Sequence, residues 1–161
     1  MALECGPLLG VCSVRHSTSK GSHGDEDLQL YIPTSGDVPR EHAFNWHLTT
    51  RNFLAWMCGK ALVGVTLGES LVALYERMRL FRSGGNNVLD LLKYADDQGY
   101  MDFADRPDYA LAFLRFAEHI QVRDLWIDAF AHCVGMNERL CKSPEFDVRY
   151  PFCHSFRHYP Y

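Results

Sequence analysis

The chain has 161 residues, of which 47% are hydrophobic and 22% are charged, and its formal net charge is −4. This composition is typical of a globular domain and argues against collagen-like repeats, coiled coils and disorder over the whole chain. Because nucleic-acid-binding proteins usually carry a basic surface, we expect no nucleic-acid partner. No stretch reaches the roughly 20 apolar residues that a membrane-spanning helix needs, so we expect no membrane partner either.

The ends of the chain differ in composition from its middle. Residues 1–27 are predicted to form a disordered arm, because the segment 16–27 is small and polar. Residues 28–32 are predicted to be a short strand or an extended docking segment, which Pro33 ends. The helical domain is predicted to span residues 28–147. The helical period stops at Ser143, so we expect irregular structure from there, with residues 148–161 as an irregular aromatic tail.

The first half of the predicted domain contains two long helical patterns. The first runs from about residue 39 to Met57 and is apolar on several faces, which is typical of a central helix. The second begins at Thr66, where Thr66 and Glu69 have the spacing of a capping box. Its apolar residues recur at spacings of three and four and predict one core-facing stripe; they are Leu67, Leu71, Leu74, Met78 and Phe81.

Three further helices are predicted in the second half. Asn87 is expected to cap a short helix that Gly99 stops, and Asp105 before Pro107 indicates the start of the next. After a break near residues 119–122, a last helix carries an apolar set, and Gly135 is expected to end or loosen it. That set is Leu125, Trp126, Ala129, Phe130 and Cys133. The fold class predicted is all-α, an irregular bundle of about five helices.

Cysteine usage indicates a reducing compartment. The six cysteines are Cys5, Cys12, Cys58, Cys133, Cys141 and Cys153. The N-terminus lacks the pattern of a secretory signal peptide, and Cys58 and Cys133 lie in apolar helical patterns, where free cysteine behaves as a small hydrophobe. We therefore expect free thiols in an intracellular protein, cytoplasmic or nuclear.

The residues that could support catalysis or metal binding are better explained by structural roles. Cys153 and His154 are adjacent, so both could bind one metal ion only with strained geometry. His154 and His158 could bind one metal ion together only if the tail were helical. No metal site is therefore expected. Cys58 and Cys133 lack the local signatures of nucleophilic cysteines and are expected to be buried structural thiols. The aspartates between residues 96 and 108 are expected mainly to cap helices, with Asp105 and Asp108 as the clearest cases. No catalytic residue and no cofactor is predicted.

Several segments together resemble a known family. They are Arg51–Trp56, Leu62–Gly68, Leu74–Met78, Gln98–Phe103, Phe116–His119 and Leu125–Asn137. In this order they are similar to an uncharacterised domain family of filamentous fungi, over about residues 29–147. The resemblance implies an intracellular helical protein and assigns no activity. After Asp147 the family pattern continues into further helix, and this chain departs from it.

A weaker resemblance concerns helix packing. Residues 110–126 and the helix after them are similar to the C-terminal helix pair of BTB-type interaction domains, and residues 53–60 are similar to a fungal BTB segment. The strands that open a BTB domain are not evident. The resemblance implies a way of packing helices and does not license a function.

The function predicted is non-catalytic, adaptor-like protein–protein interaction, with another protein as partner. The residues predicted for an interface or pocket are Arg51, Trp56, Arg77, Arg123 and Trp126. The alternative is an accessory enzyme or small-molecule-binding protein in a fungal (secondary) metabolic pathway. In that case the three tryptophans, Trp46, Trp56 and Trp126, would shape an apolar pocket rather than lie in the core. A closed core there favours the first reading and a polar-lined cavity the second, and the sequence leaves the oligomeric state open.

Overall fold

The computed structural model describes residues 39–82 and 84–149, and these residues form six α-helices and no strand. The helices are α1 (Arg40–Met57), α2 (Leu67–Phe81), α3 (Asn87–Asp97), α4 (Pro107–Ile120), α5 (Arg123–Leu140) and α6 (Pro144–Arg149). The predicted all-α class with about five helices is confirmed, since α6 has only six residues. The predicted arm, the segment 28–32 and residues 150–161 of the predicted tail lie outside the described residues.

The chain divides into two compact units, residues 1–50 and 51–161. In the first unit the described residues belong to the N-terminal part of α1, where the hydroxyls of Thr49 and Thr50 donate to backbone carbonyls one turn earlier. The second unit contains the end of α1 and helices α2 to α6. The domain boundaries expected from the sequence, after residues 27 and 147, stay predictions.

The core of the second unit is built around α4, which packs against α2, α5 and α6. Seven of its fourteen residues are buried. The stripe predicted for α2 is confirmed at Leu71, Leu74 and Met78, which are completely buried. The prediction that the first helix is central is wrong, because the one buried residue of α1 is the polar Asn52.

The start of α2 is capped by a residue that is distant in sequence, and not by the predicted capping box. Thr66 is the N-cap residue, but its side chain makes no capping hydrogen bond. Instead, the Oε1 atom of Glu145 accepts a hydrogen bond of 2.8 Å from the backbone N–H of Gly68. Glu69 lies 3.5 Å from the Arg115 guanidinium on α4. A carboxylate brought by tertiary packing thus satisfies a donor that the local sequence leaves open.

Two other helix starts differ from prediction by one residue. Asn86, and not Asn87, caps α3, because its Oδ1 accepts a 3.1 Å hydrogen bond from the Leu89 N–H. Pro107 opens α4 as expected, but Arg106 is the N-cap residue. Asp105 has a left-handed φ of 56° and pairs with Arg139 instead of capping.

Helix α5 is longer than expected, and helix α6 was not expected at all. The break before α5 is confirmed at Gln121, whose φ is 57°. The helix α5 continues past Gly135 to Leu140, with non-helical backbone angles at Asn137. The expectation of irregular structure from Ser143 is wrong for α6. There the Ser143 hydroxyl accepts from the Glu145 N–H at 3.2 Å and a proline follows, which together form a helix start.

Candidate protein-interaction surface

Helix α5 has a buried face and an exposed apolar face. The buried face consists of Leu125, Ala129 and Cys133. On the other side, Ile127, Phe130 and Val134 expose 48%, 44% and 60% of their surface. Spacings of three and four residues place these three side chains in one strip along the helix. We call the strip Ile127–Phe130–Val134 the α5 ridge.

The side chain of Trp126 supports the α5 ridge from one side. Its indole stacks on the Phe130 ring, with centroids 4.8 Å apart and planes 9° apart. The indole Nε1–H donates a 3.1 Å hydrogen bond to the Oε1 atom of Glu118 on α4. Stacking and hydrogen bonding together fix the indole, so an aromatic surface is held in place before any partner binds.

A shallow cavity of about 230 Å³ lies at the turn between α4 and α5. Its lining consists of Ala117, Glu118, Gln121, Val122, Arg123 and Trp126. The left-handed Gln121 makes the turn, and the Arg123 side chain is exposed beside it. The structure therefore brings together two of the residues predicted for an interface, Arg123 and Trp126, next to the α5 ridge.

Two other predicted residues, Trp56 and Arg77, belong to an aromatic cluster between the end of α1 and α2. The Phe53 ring lies 5.6 Å from Trp56 and 5.4 Å from Phe81, measured between centroids. The guanidinium of Arg77 lies 5.8 Å from the Phe81 centroid, and that of Arg82 lies 5.3 Å from the Trp56 ring. Trp56 and Arg77 are thus linked through aromatic rings.

The arginines predicted for an interface differ in exposure. Arg77 is 6% exposed, and burial lowers the pKa of its guanidinium. Arg77 is therefore placed to stabilise the fold rather than to meet a partner. Arg51, in contrast, is exposed on α1. Arg82 links the aromatic cluster to α3, because its guanidinium lies over the Trp56 ring and its Nη2 atom lies 2.6 Å from the Asp90 carboxylate on α3.

The expectation that the three tryptophans are core residues is wrong. Trp46, Trp56 and Trp126 are all half-buried. Trp56 and Trp126 pack against the edge of the core of the second unit, and Trp46 belongs to the first unit. Within the second unit, Trp126 lines the cavity beside α5, whereas Trp56 belongs to the aromatic cluster. These two tryptophans therefore do not shape a single common pocket.

The segment 58–66, between α1 and α2, is held by polar side chains that the sequence analysis missed. The buried Asn52 donates from Nδ2 to the Val63 carbonyl at 2.8 Å and accepts at Oδ1 from the Val63 N–H at 3.0 Å. The hydroxyls of Tyr94 and Tyr100 bind backbone groups of the same segment. An amide inside an otherwise apolar helical stretch was the signal that could have revealed Asn52.

A second cavity of about 200 Å³ lies beside the start of α2. Its lining consists of Leu62, Val63, Gly64, Thr66, Leu67, Ser70, Tyr100 and Tyr109. The buried Thr66 hydroxyl has no hydrogen-bond partner among the residues that the structure describes. The Ser70 hydroxyl donates 2.9 Å to the Thr66 carbonyl, so this lining is already organised by internal hydrogen bonds.

The cysteines and aspartates singled out for chemistry have mostly structural positions. Cys133 is buried as expected, but Cys58 is exposed, because it follows the last residue of α1 and leaves the helical pattern. Asp105 pairs with Arg139 at 2.5 Å, and Asp108 accepts from the Ser143 hydroxyl at 2.5 Å. No cluster of three potential metal ligands occurs within residues 39–82 and 84–149. The remaining candidate ligands, Cys153, His154 and His158, lie outside that part of the chain.

Comparison with known proteins adds a family match and no activity. No helix in the described part of the chain is both long and apolar enough to cross a membrane. No curated protein and no solved structure matches the chain. Over residues 88–152, which include α4 and the whole α5 ridge, the chain matches the family model of a domain of unknown function (DUF8004).

Proposed function

We propose that this chain is a non-catalytic protein–protein interaction domain of adaptor type, which acts inside a fungal cell through the α5 ridge. The observation that carries the proposal is the contiguous exposure of Ile127, Phe130 and Val134 on one helix face. An exposed apolar strip on a helix is the kind of surface that docks into a groove or against another helix. The fungal setting rests on the sequence resemblance alone.

The side chains next to the ridge are of the types that contribute most to binding. Tryptophan and arginine are enriched among residues whose truncation weakens complexes strongly. Trp126 is fixed by Phe130 and Glu118, so little side-chain entropy is lost when a partner covers it. Arg123 adds a positive charge at one end of the strip, which favours a partner with a carboxylate at that position.

The cavity beside Trp126 supports a second candidate function, the binding of a small molecule. Its lining includes Glu118, Gln121 and Arg123, so it is a polar-lined cavity beside a tryptophan, the feature that favours this second function over the first. Its volume of about 230 Å³ is smaller than the roughly 300–1,000 Å³ of typical ligand sites. A protein side chain from a partner is a better match in size than a free metabolite, and the interaction reading is therefore preferred.

The proposal is tested with a matched pair of variants, Phe130→Asp and Leu80→Asp. Both residues are exposed apolar residues, but Phe130 lies on the α5 ridge and Leu80 on α2. The tagged full chain captures partners from its native cell extract, and the captured protein is then purified and its binding measured directly. We expect Phe130→Asp to lose the partner and Leu80→Asp to retain it.

Circular dichroism of both variants serves as the folding control. If both variants are folded and capture the same protein equally well, the α5 ridge is not the interaction surface. If a metabolite and no protein co-purifies, and Trp126→Ala abolishes it, the small-molecule function replaces the proposed one.

A further inference from the structure

We propose that α6 is a releasable strap, and that its release changes the cap of α2 from Glu145 to Thr66. In the closed form, which the structure shows, the Glu145 carboxylate accepts a hydrogen bond from the Gly68 N–H at 2.8 Å. In the open form α6 leaves α2, and the Thr66 hydroxyl accepts from the N–H of Glu69. This device is separate from the α5 ridge, because none of these residues belongs to α5.

Thr66 has the backbone of a capping residue but does not cap. Its φ of −130° and ψ of 146° are the extended angles of an N-cap residue. It is 4% exposed, and its hydroxyl has no hydrogen-bond partner among the residues that the structure describes. An unpaired buried hydroxyl costs free energy in the closed form. The same hydroxyl gains a partner when it turns to the Glu69 N–H, so the closed form keeps a local cap in reserve.

The second half of the local cap is also kept in reserve. Glu69 is the third residue of α2, where a glutamate completes a capping box by accepting from the backbone N–H of the N-cap residue. In the closed form its carboxylate lies instead 3.5 Å from the Arg115 guanidinium on α4. The side chains of Arg115 and Glu69 are 34% and 50% exposed, so this pair contributes little and is given up at low cost.

The strap itself is short and is attached in part by polar contacts. Helix α6 has six residues. It is attached through the Glu145 carboxylate and through the Ser143 hydroxyl, which donates to the Oδ1 atom of Asp108 at 2.5 Å. The half-buried Phe146 adds an apolar contact with the core. Hydrogen bonds within a protein are exchanged for hydrogen bonds to water at a small net cost, and burial of the Glu145 carboxylate has a cost of its own.

Release of the strap uncovers a surface that the closed form hides. Gly68 and Ala112 are buried where α2, α4 and α6 meet, and neither has a side chain larger than a methyl group. Leu67, whose N–H also donates to Glu145, lines the second cavity together with Thr66. The open form therefore extends this cavity along the start of α2. A partner that binds only this surface shifts the population toward the open form.

Native-state amide hydrogen exchange of the full chain, followed by NMR, tests the release. The reporters are the Gly68 N–H, which is bound to Glu145, and the Phe146 N–H, which donates to the Ser143 carbonyl at 3.1 Å. We expect these two amides to exchange together, and about tenfold or more faster than the amide of the buried Phe113 on α4. If they exchange only as fast as Phe113, α6 opens only when the whole unit unfolds, and the proposal is overturned.

The variant Thr66→Val tests the change of cap, because it removes the hydroxyl and keeps the shape of the side chain. The closed form loses no hydrogen bond, whereas the open form loses its cap. Exchange at Gly68 and Phe146 should therefore slow by about fivefold. Thr66→Ser keeps a capping hydroxyl and is the matched control, with exchange within about twofold of wild type. Unchanged or faster exchange in Thr66→Val overturns the proposal.

The variant Glu145→Ala removes the closing contact and shows which group caps the open form. The Glu69 N–H is in the first turn of α2 and has no partner within the helix, so its protection reports the cap. It should exchange about fivefold more slowly in Glu145→Ala than in the double variant Glu145→Ala/Thr66→Val. Equal exchange in the two variants means that the Thr66 hydroxyl is only hydrated in the open form, and overturns the proposal. Circular dichroism is the folding control, and if the double variant does not fold, Thr66→Val alone decides.

Discussion

The Glu145 carboxylate, on the short helix α6, accepts a 2.8 Å hydrogen bond from the Gly68 N–H at the start of α2, 77 positions earlier. A Cβ atom at Gly68 would lie 2.9 Å from the Glu145 Oε2 atom and 3.2 Å from the Ala112 Cα atom. Any larger residue at Gly68 would therefore displace the Glu145 carboxylate and crowd the backbone of α4 at Ala112. The contact joins the end of region 88–152, which matches the DUF8004 family model, to α2, which lies outside that region.

Glu145 combines a capping role with the cost of a buried charge. Glu145→Ala removes the acceptor and is expected to lower the free energy of unfolding by about 1–3 kcal/mol, since it leaves buried N–H groups unsatisfied. Glu145→Gln keeps a carbonyl acceptor and removes the charge, so it is expected to cost much less. Urea unfolding of both variants measures the difference. Equal losses for the two variants would contradict the capping role.

The same residue makes stability depend on pH. Burial raises the pKa of the Glu145 carboxyl above its ordinary 4.5, and hydrogen bonds from the Gly68 and Leu67 N–H groups oppose that rise only in part. A raised pKa means that the folded state binds the proton more tightly than the unfolded state, so this stabilisation is present at low pH and is lost as pH rises through the folded pKa. Relative to wild type, Glu145→Gln should therefore gain stability as pH rises from about 4. A difference that does not change with pH would contradict the raised pKa.

Asn52 is expected to be the most sensitive residue of α1. Asn52→Ala removes both hydrogen bonds to Val63 and leaves that half-buried backbone without its partner, so the free energy of unfolding should fall by about 1–3 kcal/mol. Arg51→Ala is the matched control, because Arg51 is the adjacent residue and is exposed. Its effect should stay within about 0.5 kcal/mol. Thermal unfolding of both variants checks the prediction, and similar melting temperatures would contradict it.

An exposed pair joins α2 to α4. The Glu76 Oε1 atom lies 2.7 Å from the His119 Nε2 atom, and this hydrogen bond is the main cause that lowers the pKa of the Glu76 carboxyl. A lowered pKa gives stability that is present above the unfolded pKa and is lost as pH falls through the folded pKa. Because the pair is exposed, Glu76→Gln should cost less than about 1 kcal/mol near neutral pH. The cost should vanish at low pH, and a cost that persists in acid would contradict the assignment.

The sequence predicts those parts of the fold that depend on local patterns. The stripe of Leu71, Leu74 and Met78 repeats every three or four residues, so its burial follows from helix geometry alone. Glu145 acts through a contact with Gly68, 77 positions away, which no local pattern encodes. Asn52 stands out locally only as an amide in an apolar stretch, and its partner Val63 is not given by that pattern. Thr66 shows the converse, because its spacing to Glu69 fits a capping box that tertiary packing replaces.

The candidate surface was only partly predictable for a related reason. Helix α5 is apolar on two sides, and a sequence does not say which side a neighbouring helix covers. Cys133 and Phe130 were expected in the same apolar set, but one is 4% and the other 44% exposed. Arg123 and Trp126 were singled out by residue type, whereas Ile127 and Val134 became candidates only once α4 was seen to cover the opposite face.

The most direct test of the α5 ridge is the affinity of the purified chain for the protein partner that it captures. Isothermal titration or sedimentation compares wild type with the folded variants Phe130→Asp and Leu80→Asp. Loss of a central apolar contact costs roughly 2 kcal/mol or more, so Phe130→Asp should raise Kd by about thirtyfold or more. Leu80→Asp should leave Kd within about twofold. An unchanged Kd for Phe130→Asp, or an equal loss for both variants, would contradict the assignment of the ridge.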